Sequence, residues 1–262
     1  MKPLISFAVV IMIFFITGCA VTPQILPERD AADGEPDIAD TAELGIVRDI
    51  DIDISKKPMI ALTFDDGPDE YTDSILDILE RYGGRATFFV LGELVEERPD
   101  TVKRAVKNGN EIAGHTWSHR QLTALNNTDI AESIQSTSKI IEQITGIPRP
   151  FFYRPPYGLV NRRVANVSAE LGYAIVNWTV DIQDWRLLNA DLVYNAVMMK
   201  AKEGSIILLH DIFPSTAEAA KRLIPALISK GFQLVTVSEL LYRSHGSLVP
   251  GRVYGNPGIV FP

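Results

Sequence analysis

ILDILERYGGRATFFV, running from Ile75 to Val90, reads as two elements joined at a glycine pair. Ile75, Leu76, Ile78 and Leu79 recur at the spacing of one helix face, with Asp77, Glu80 and Arg81 between them. Gly83 stands where a helix needs a left-handed residue to stop, and Ala86 to Val90 then form a short run of the residue types that favour strands. The same rhythm returns in VKRAVKNG before NEIAG (102–114), RRVANVSAELG before YAIVNW (162–178), VMMKAKEG before SIILL (197–209) and IPALISKG before FQLVTV (224–237). A capping box, Thr236-Val-Ser-Glu239, opens a last helix. Strands separated by helices pair in parallel, because the helix carries the chain back to start the next strand in the same direction. Seven strands are expected, near 59–64, 86–90, 111–114, 151–153, 173–178, 205–209 and 232–236. The fold class is therefore α/β, and seven strands suit either an incomplete barrel or a doubly wound open sheet. The recurrence is one of structural rhythm and not of duplicated sequence, which argues against a solenoid.

Parallel α/β folds gather their chemistry at the carboxyl ends of the strands. Here the strand in IALTFDDGP (60–68) ends in Asp65-Asp66, and a second runs through Gly114 into His115-Thr-Trp-Ser-His119. A third leads into Arg154-Pro-Pro-Tyr157, a fourth into Asp181-Ile-Gln-Asp184-Trp185, and a fifth into His210-Asp211. Two adjacent carboxylates repel unless a positive charge lies beside them, so Asp65-Asp66 calls for a cation. His115 and His119, four apart, can turn two imidazoles to one face. With one carboxylate they make the three-ligand set of an open zinc site, leaving a position for a reacting water and one Asp free to act on it. His210, at the same rim, is a candidate for proton transfer, whereas His245 lies away from every strand exit and reads as a surface residue.

The ends of the chain differ from its middle. Lys2 precedes an apolar run from Leu4 to Ile16, too short to span a bilayer and of the length of a signal-peptide core. Ile16-Thr-Gly-Cys19 resembles a bacterial lipobox, which makes Cys19, the single cysteine of the chain, the expected lipidation site; an uncleaved anchor or an ordinary secreted protein is the alternative. Residues 28–53 hold ten acids against Arg29 and Arg48, and the remaining residues 54–262 hold 23 acids and 22 bases. The acidity thus belongs to a solvated tether while the globular part is nearly neutral. No basic patch with interleaved aromatics is present, which excludes the usual signature of nucleic-acid binding. The organisation expected is a signal peptide over 1–18, an acidic tether over 19–56, one domain over 57–243 and an irregular Gly/Pro-rich tail over 244–262.

TFDDGP, HTWSH, RPPYG, DIQDW and LLHD, in this order, resemble the five motifs of the polysaccharide deacetylase family, also called the NodB-homology or carbohydrate esterase family 4 domain. The resemblance covers about residues 57–243. It implies a distorted (β/α) barrel, a divalent metal with zinc as the first choice and cobalt or another divalent ion as alternatives, and hydrolytic removal of acetyl groups from a sugar polymer. By the same resemblance Asp66, His115 and His119 bind the metal, Asp65 is the catalytic base and His210 the catalytic acid. Arg154 orients Asp65, Asp184 pairs with His210, the backbone N–H of Tyr157 faces the oxyanion, and Trp185 and Leu208 line the acetyl pocket; Asp181 is left as a structural acid.

The expected function is removal of the N-acetyl group from N-acetylglucosamine of a cell-wall polysaccharide, peptidoglycan first, outside the cytoplasm and tethered to the bacterial cell membrane through Cys19. A chitooligosaccharide deacetylase or a xylan O-acetyl esterase is the alternative within the same chemistry. A non-catalytic carbohydrate-binding lipoprotein is the alternative of another class, disfavoured because binding needs no Asp65 and His210 together. No protein partner and no nucleic acid are expected.

Overall fold

The computed structural model describes residues 58–148 and 151–255. Nine strands lie in that range: β1 Met59–Asp65, β2 Ala86–Val90, β3 Glu111–Gly114, β4 Phe152–Tyr153, β5 Ala174–Val176, β6 Val180–Asp181, β7 Ile206–His210, β8 Gln233–Leu234 and β9 Val253–Tyr254. They form one sheet in the order β6-β7-β1-β2-β3-β4-β5-β9, with β8 also paired to β1, and every pairing is parallel. The helices are α1 Thr72–Tyr82, α2 Gly92–Glu97, α3 Pro99–Lys107, α4 Asn127–Thr145, α5 Arg162–Leu171, α6 Asp184–Leu187, α7 Ala190–Lys200, α8 Pro214–Ser229 and α9 Val237–His245.

The strand order itself forces the sheet to curl. β5 and β6 stand six places apart in the order, which in a flat sheet is about 29 Å at the usual strand spacing. Only Asn177, Trp178 and Thr179 join them, a link that reaches about 14 Å fully extended. The sheet therefore bends round until its ends approach, giving the distorted (β/α) barrel, open between β6 and β9.

Period-two alternation along β1 sorts two cores. Ile60, Leu62 and Phe64 face outward into a layer with Ile75, Leu79, Leu223 and Leu227 of α1 and α8, and Phe64 stacks on Phe88 with ring centroids 5.2 Å apart. Met59 and Ala61 face inward with Phe89, Ala113, Phe152 and Val176. Each such large side chain, once buried, contributes about 1.5–3 kcal/mol as an upper estimate. The inner row continues past Ala61 to Thr63 and Asp65, so the barrel's filling turns polar toward its carboxyl end.

The amino end is closed by α9. Val237, Leu240 and Leu241 pack into the inner cluster beside Met59. The expected capping box is present, with the Thr236 side chain accepting from the Glu239 N–H and the Glu239 carboxylate accepting from the Thr236 N–H. Half-buried Glu111, at the start of β3, accepts hydrogen bonds from the Thr87 hydroxyl at 2.7 Å and from the Ser238 hydroxyl, so polar contacts fix the helix to the barrel floor.

The structure differs from the sequence reading in three places. The strand expected over 173–178 is shorter, β5 over Ala174–Val176, and Asn177, Trp178 and Thr179 then lead to β6, which pairs with β7 at the other end of the strand order. Helix α7 stops at Lys200 and not at Gly204, whereas Gly83 and Gly172 do end α1 and α5 in the left-handed conformation. The tail, read as irregular, supplies β9 against β5, with Ile175 N–H donating to Arg252 C=O at 2.9 Å and Asn177 N–H to Tyr254 C=O at 2.8 Å. Gly255 serves close approach, since a Cβ there would lie 2.8 Å from the Asn177 backbone. The expected signal peptide, Cys19, the tether over 19–56 and the last residues of the tail, 256–262, lie outside the described residues. Among the described residues no helix is long and apolar enough to cross a membrane.

Candidate active site

Strand β1 delivers its two terminal acids in different directions. Asp65 ends the inner row, while Asp66 takes a left-handed backbone with φ 75°, a conformation that Asp tolerates better than most residues. The turn aims Asp66 at the loop after β3, where Thr116 and His119 are also left-handed. Those bends bring both imidazoles round: His115 Nε2 and His119 Nε2 each lie 3.3 Å from Asp66 Oδ1. One ligand atom from each of the three residues falls within 4.8 Å of the others.

The donor set fits a divalent cation. Asp66 Oδ1 is buried and accepts no hydrogen bond, which is costly for a carboxylate oxygen unless something else satisfies it. Burial raises the Asp66 pKa, but the facing imidazoles of His115, then His210 and His119, reverse this and bring it down to about 2. His115 Nδ1–H donates to the Arg154 carbonyl at 2.8 Å, which leaves Nε2 as the ring's ligating nitrogen. Burial lowers the His119 pKa, favouring the neutral ring that binds metal. Two nitrogens and one oxygen leave a fourth position open, the arrangement of catalytic rather than structural zinc sites.

Asp65 answers to a different charge. Arg154, fully buried, donates from Nη1 to Asp65 Oδ1 at 2.6 Å and to Thr63 Oγ1 at 2.8 Å. Its Nε and Nη2 donate to the carbonyls of Val176 and Asn177 at 3.1 and 2.9 Å, and its guanidinium carbon lies 3.9 Å from the Phe89 ring centroid. Burial lowers the Arg154 pKa, and the charge and hydrogen bond of Asp65 offset only part of this. The two adjacent acids therefore coexist because Asp65 faces a guanidinium and Asp66 faces the imidazole pair.

His210 sits beside them, since the register of β1 and β7 makes Asp65 and His210 direct neighbours. Its Nδ1 lies 2.7 Å from Asp184 Oδ1, and its backbone N–H donates to Asp184 Oδ2 at 2.8 Å. Burial alone lowers the His210 pKa; the hydrogen bond and charge of Asp184, aided by Asp65 and Asp66, outweigh it and raise the pKa to about 9.

These groups open on a cavity of about 410 Å³ that Asp65, Asp66, His115, His119, Tyr157, Trp185, Leu208 and His210 help to line. Arg154 and Asp184 stand behind it, buried. Tyr157, with φ 63°, puts its ring edge-on to His119 at 4.8 Å between centroids. Three lining residues were not read from the sequence as pocket residues: Trp178, Asp181 and Phe213. The family resemblance gives Asp181 no pocket role, although its place with Asp184 in one strand exit is a usable signal. Trp178 gave no local signal, because only the crossing from β5 to β6 brings it to the mouth. Thr63 could have been found, being two residues before Asp65 and so on the same face of β1.

Comparison with known proteins places these features in context. The family model for polysaccharide deacetylases matches residues 53–176. The chain is 44% identical over 183 residues, 70% of this chain, to the peptidoglycan-N-acetylmuramic acid deacetylase PdaC of Bacillus subtilis. It spans 38% of that relative's length. A peptidoglycan-N-acetylglucosamine deacetylase of Bacillus cereus is 38% identical over 193 residues, 72% of this chain and 70% of the relative. The solved structure of the Bacillus subtilis peptidoglycan deacetylase superposes with a TM-score of 0.70 at 42% identity, covering 74% of this chain and 95% of that one.

Proposed function

This chain belongs to the polysaccharide deacetylase family, and from that premise we propose that it hydrolyses the N-acetyl group of N-acetylglucosamine in peptidoglycan. In this reading Asp66, His115 and His119 hold a divalent ion, zinc by preference for two imidazoles and one carboxylate. When bound, such an ion acidifies a water and polarises the amide carbonyl. Asp65, held in place by Arg154, takes a proton from the attacking water. His210, kept protonated by Asp184, gives a proton to the departing amine, which is otherwise a poor leaving group. The backbone N–H of Tyr157 contributes to the oxyanion site, an interaction worth about 3–4 kcal/mol in comparable enzymes, and Trp185 and Leu208 enclose the acetyl methyl.

The observation that carries this reading is the pairing of Asp65 and His210 as register neighbours, each backed by an oppositely charged partner: Arg154 behind the acid, Asp184 behind the imidazole. A carboxylate backed by a guanidinium and an imidazole backed by a carboxylate thereby stand on one wall of one cavity. A carbohydrate-binding module has no use for that arrangement. Signal cleavage and lipidation at Cys19 would tether the enzyme outside the cytoplasm, where its polymer lies.

The test is acetate release by the full-length chain from peptidoglycan, chitooligosaccharides and acetylated xylan, with and without a chelator. Release from peptidoglycan that stops with the chelator and returns with added zinc is the result expected. Amino-sugar analysis of the product would then show free glucosamine; free muramic acid would shift the site of attack to the sugar named for the Bacillus subtilis relative. Release from none of the three substrates would overturn the hydrolase reading.

A further inference from the structure

Thr216 stands outside all five motif blocks, in the first turn of α8, and is 1% exposed. Its hydroxyl donates to Asp184 Oδ2 at 2.8 Å, the same oxygen that accepts the His210 backbone N–H. Asp184 Oδ1 is left for the His210 ring. The carboxylate is thus held by three contacts from two elements: two come from β7, whose His210 it serves, and the third comes from α8. The two β7 contacts run to a single residue, so they leave the plane of the carboxylate able to rock about that residue. The Thr216 hydroxyl, arriving from a separate helix, removes that freedom. Phe213, the residue before α8, lies edge-on to the His210 ring at 5.9 Å, so one short segment braces both members of the pair.

From this geometry we infer that Thr216 is a positioning residue of the deacetylase, locking the Asp184 carboxylate in the plane where it can hold the His210 ring. The inference rests on the catalytic reading given above for His210. The charged groups that face His210 are Asp184 from α6, Asp65 and Asp66 from the end of β1, and His119 from the loop after β3. Burial works against protonation of His210, and an aligned Asp184 is what reverses the balance. A rocking carboxylate loses the short contact to Nδ1 and burial regains ground. The effect of the hydroxyl through its dipole alone has the opposite sign. Removing a donor from Asp184 makes that carboxylate more basic, which would strengthen its hold on a ring that stayed aligned.

The two roles therefore separate in one experiment on the full-length protein. In Thr216→Val, kcat for acetate release should fall about tenfold with KM within about twofold, and the alkaline limb of the pH profile should move down by about one unit. The His210 ring, followed by NMR of 15N-histidine-labelled protein, should titrate lower by a similar amount. Thr216→Ser, which keeps the hydroxyl, should restore both readouts. Should the Val variant lose the native far-UV spectrum, Thr216→Ala, which forces no new volume into the core, takes its place. An alkaline limb and a ring titration that stay put, or move up, would overturn the inference. The NMR readout needs no turnover, so wild-type protein that released no acetate would sink the deacetylase reading by itself, while the ring titration still decided what Thr216 does.

Discussion

At the scale of single residues, the site holds two carboxylates side by side by giving each a different partner, Arg154 for Asp65 and the imidazole pair for Asp66. That division makes their substitutions separable. Asp65→Asn should lower kcat by about a hundredfold or more while elemental analysis still finds a full complement of metal. His119→Ala removes one of three ligands and should empty the site; if both variants kept metal and activity, the division of roles would be wrong. His210 links activity to pH. Its folded pKa, about 9, lies above the ordinary 6.5, so the pair with Asp184 contributes stability that is fully present below about pH 6.5 and lost as pH rises through about 9. Urea unfolding of the chelated protein should therefore show a drop in stability on the order of 3 kcal/mol between pH 6 and pH 10 that is absent in His210→Gln. A drop of equal size in the variant would mean that another group titrates there. Most of these residues were legible beforehand, because acids and imidazoles at strand exits announce themselves by type. What a residue's own neighbours could not reveal was its partner: Arg154 and Asp65 are 89 positions apart, and nothing local records the contact.

At the scale of elements, function depends on how closely two strand exits can approach. The loop after β1 lies against Asp211, the residue after His210, and a Cβ on Gly67 would fall 2.2 Å from Asp211 Oδ2. Asp211 cannot swing away easily, being fully buried and held by the Thr72 hydroxyl at 2.5 Å. Gly67→Ala should therefore push the loop outward and carry Asp66 off the two imidazoles. Metal affinity, measured by competition with a chromophoric chelator, should fall by about tenfold or more, and Asp211→Ser in the same chain should recover part of it. Unchanged affinity would mean that the loop tolerates the added methyl group. The helices were readable from periodicity and their ends from caps, as at Gly83 and Gly172. Seven of the strands were readable, including the two-residue β4 and β8, because each follows a helix or precedes a motif in the repeating rhythm. β6 and β9 stand outside that rhythm and have no periodicity to detect, since they exist because a neighbouring edge offers hydrogen bonds.

At the scale of the whole fold, the tail extends the sheet by adding β9 beside β5. Ending the chain after Val249 would remove β9, uncover β5 and expose the pocket in which Tyr254 is buried. The thermal midpoint should fall by roughly 5–10 °C, and the amides of Ile175 and Asn177 should lose protection from hydrogen exchange. A midpoint within about one degree of the full chain would make the tail an ornament. The sequence by itself determined the alternation of helix and strand, hence parallel pairing, hence a single rim for the strand exits, because each step follows from side-chain spacing and the handedness of the chain. Only the tertiary structure decided that three residues join β5 to β6 six places away in the sheet, that Trp178 lines the cavity and that Thr216 reaches Asp184. Those are contacts between residues far apart in the chain, set by closure of the sheet, and closure leaves no mark on the spacing of neighbouring residues.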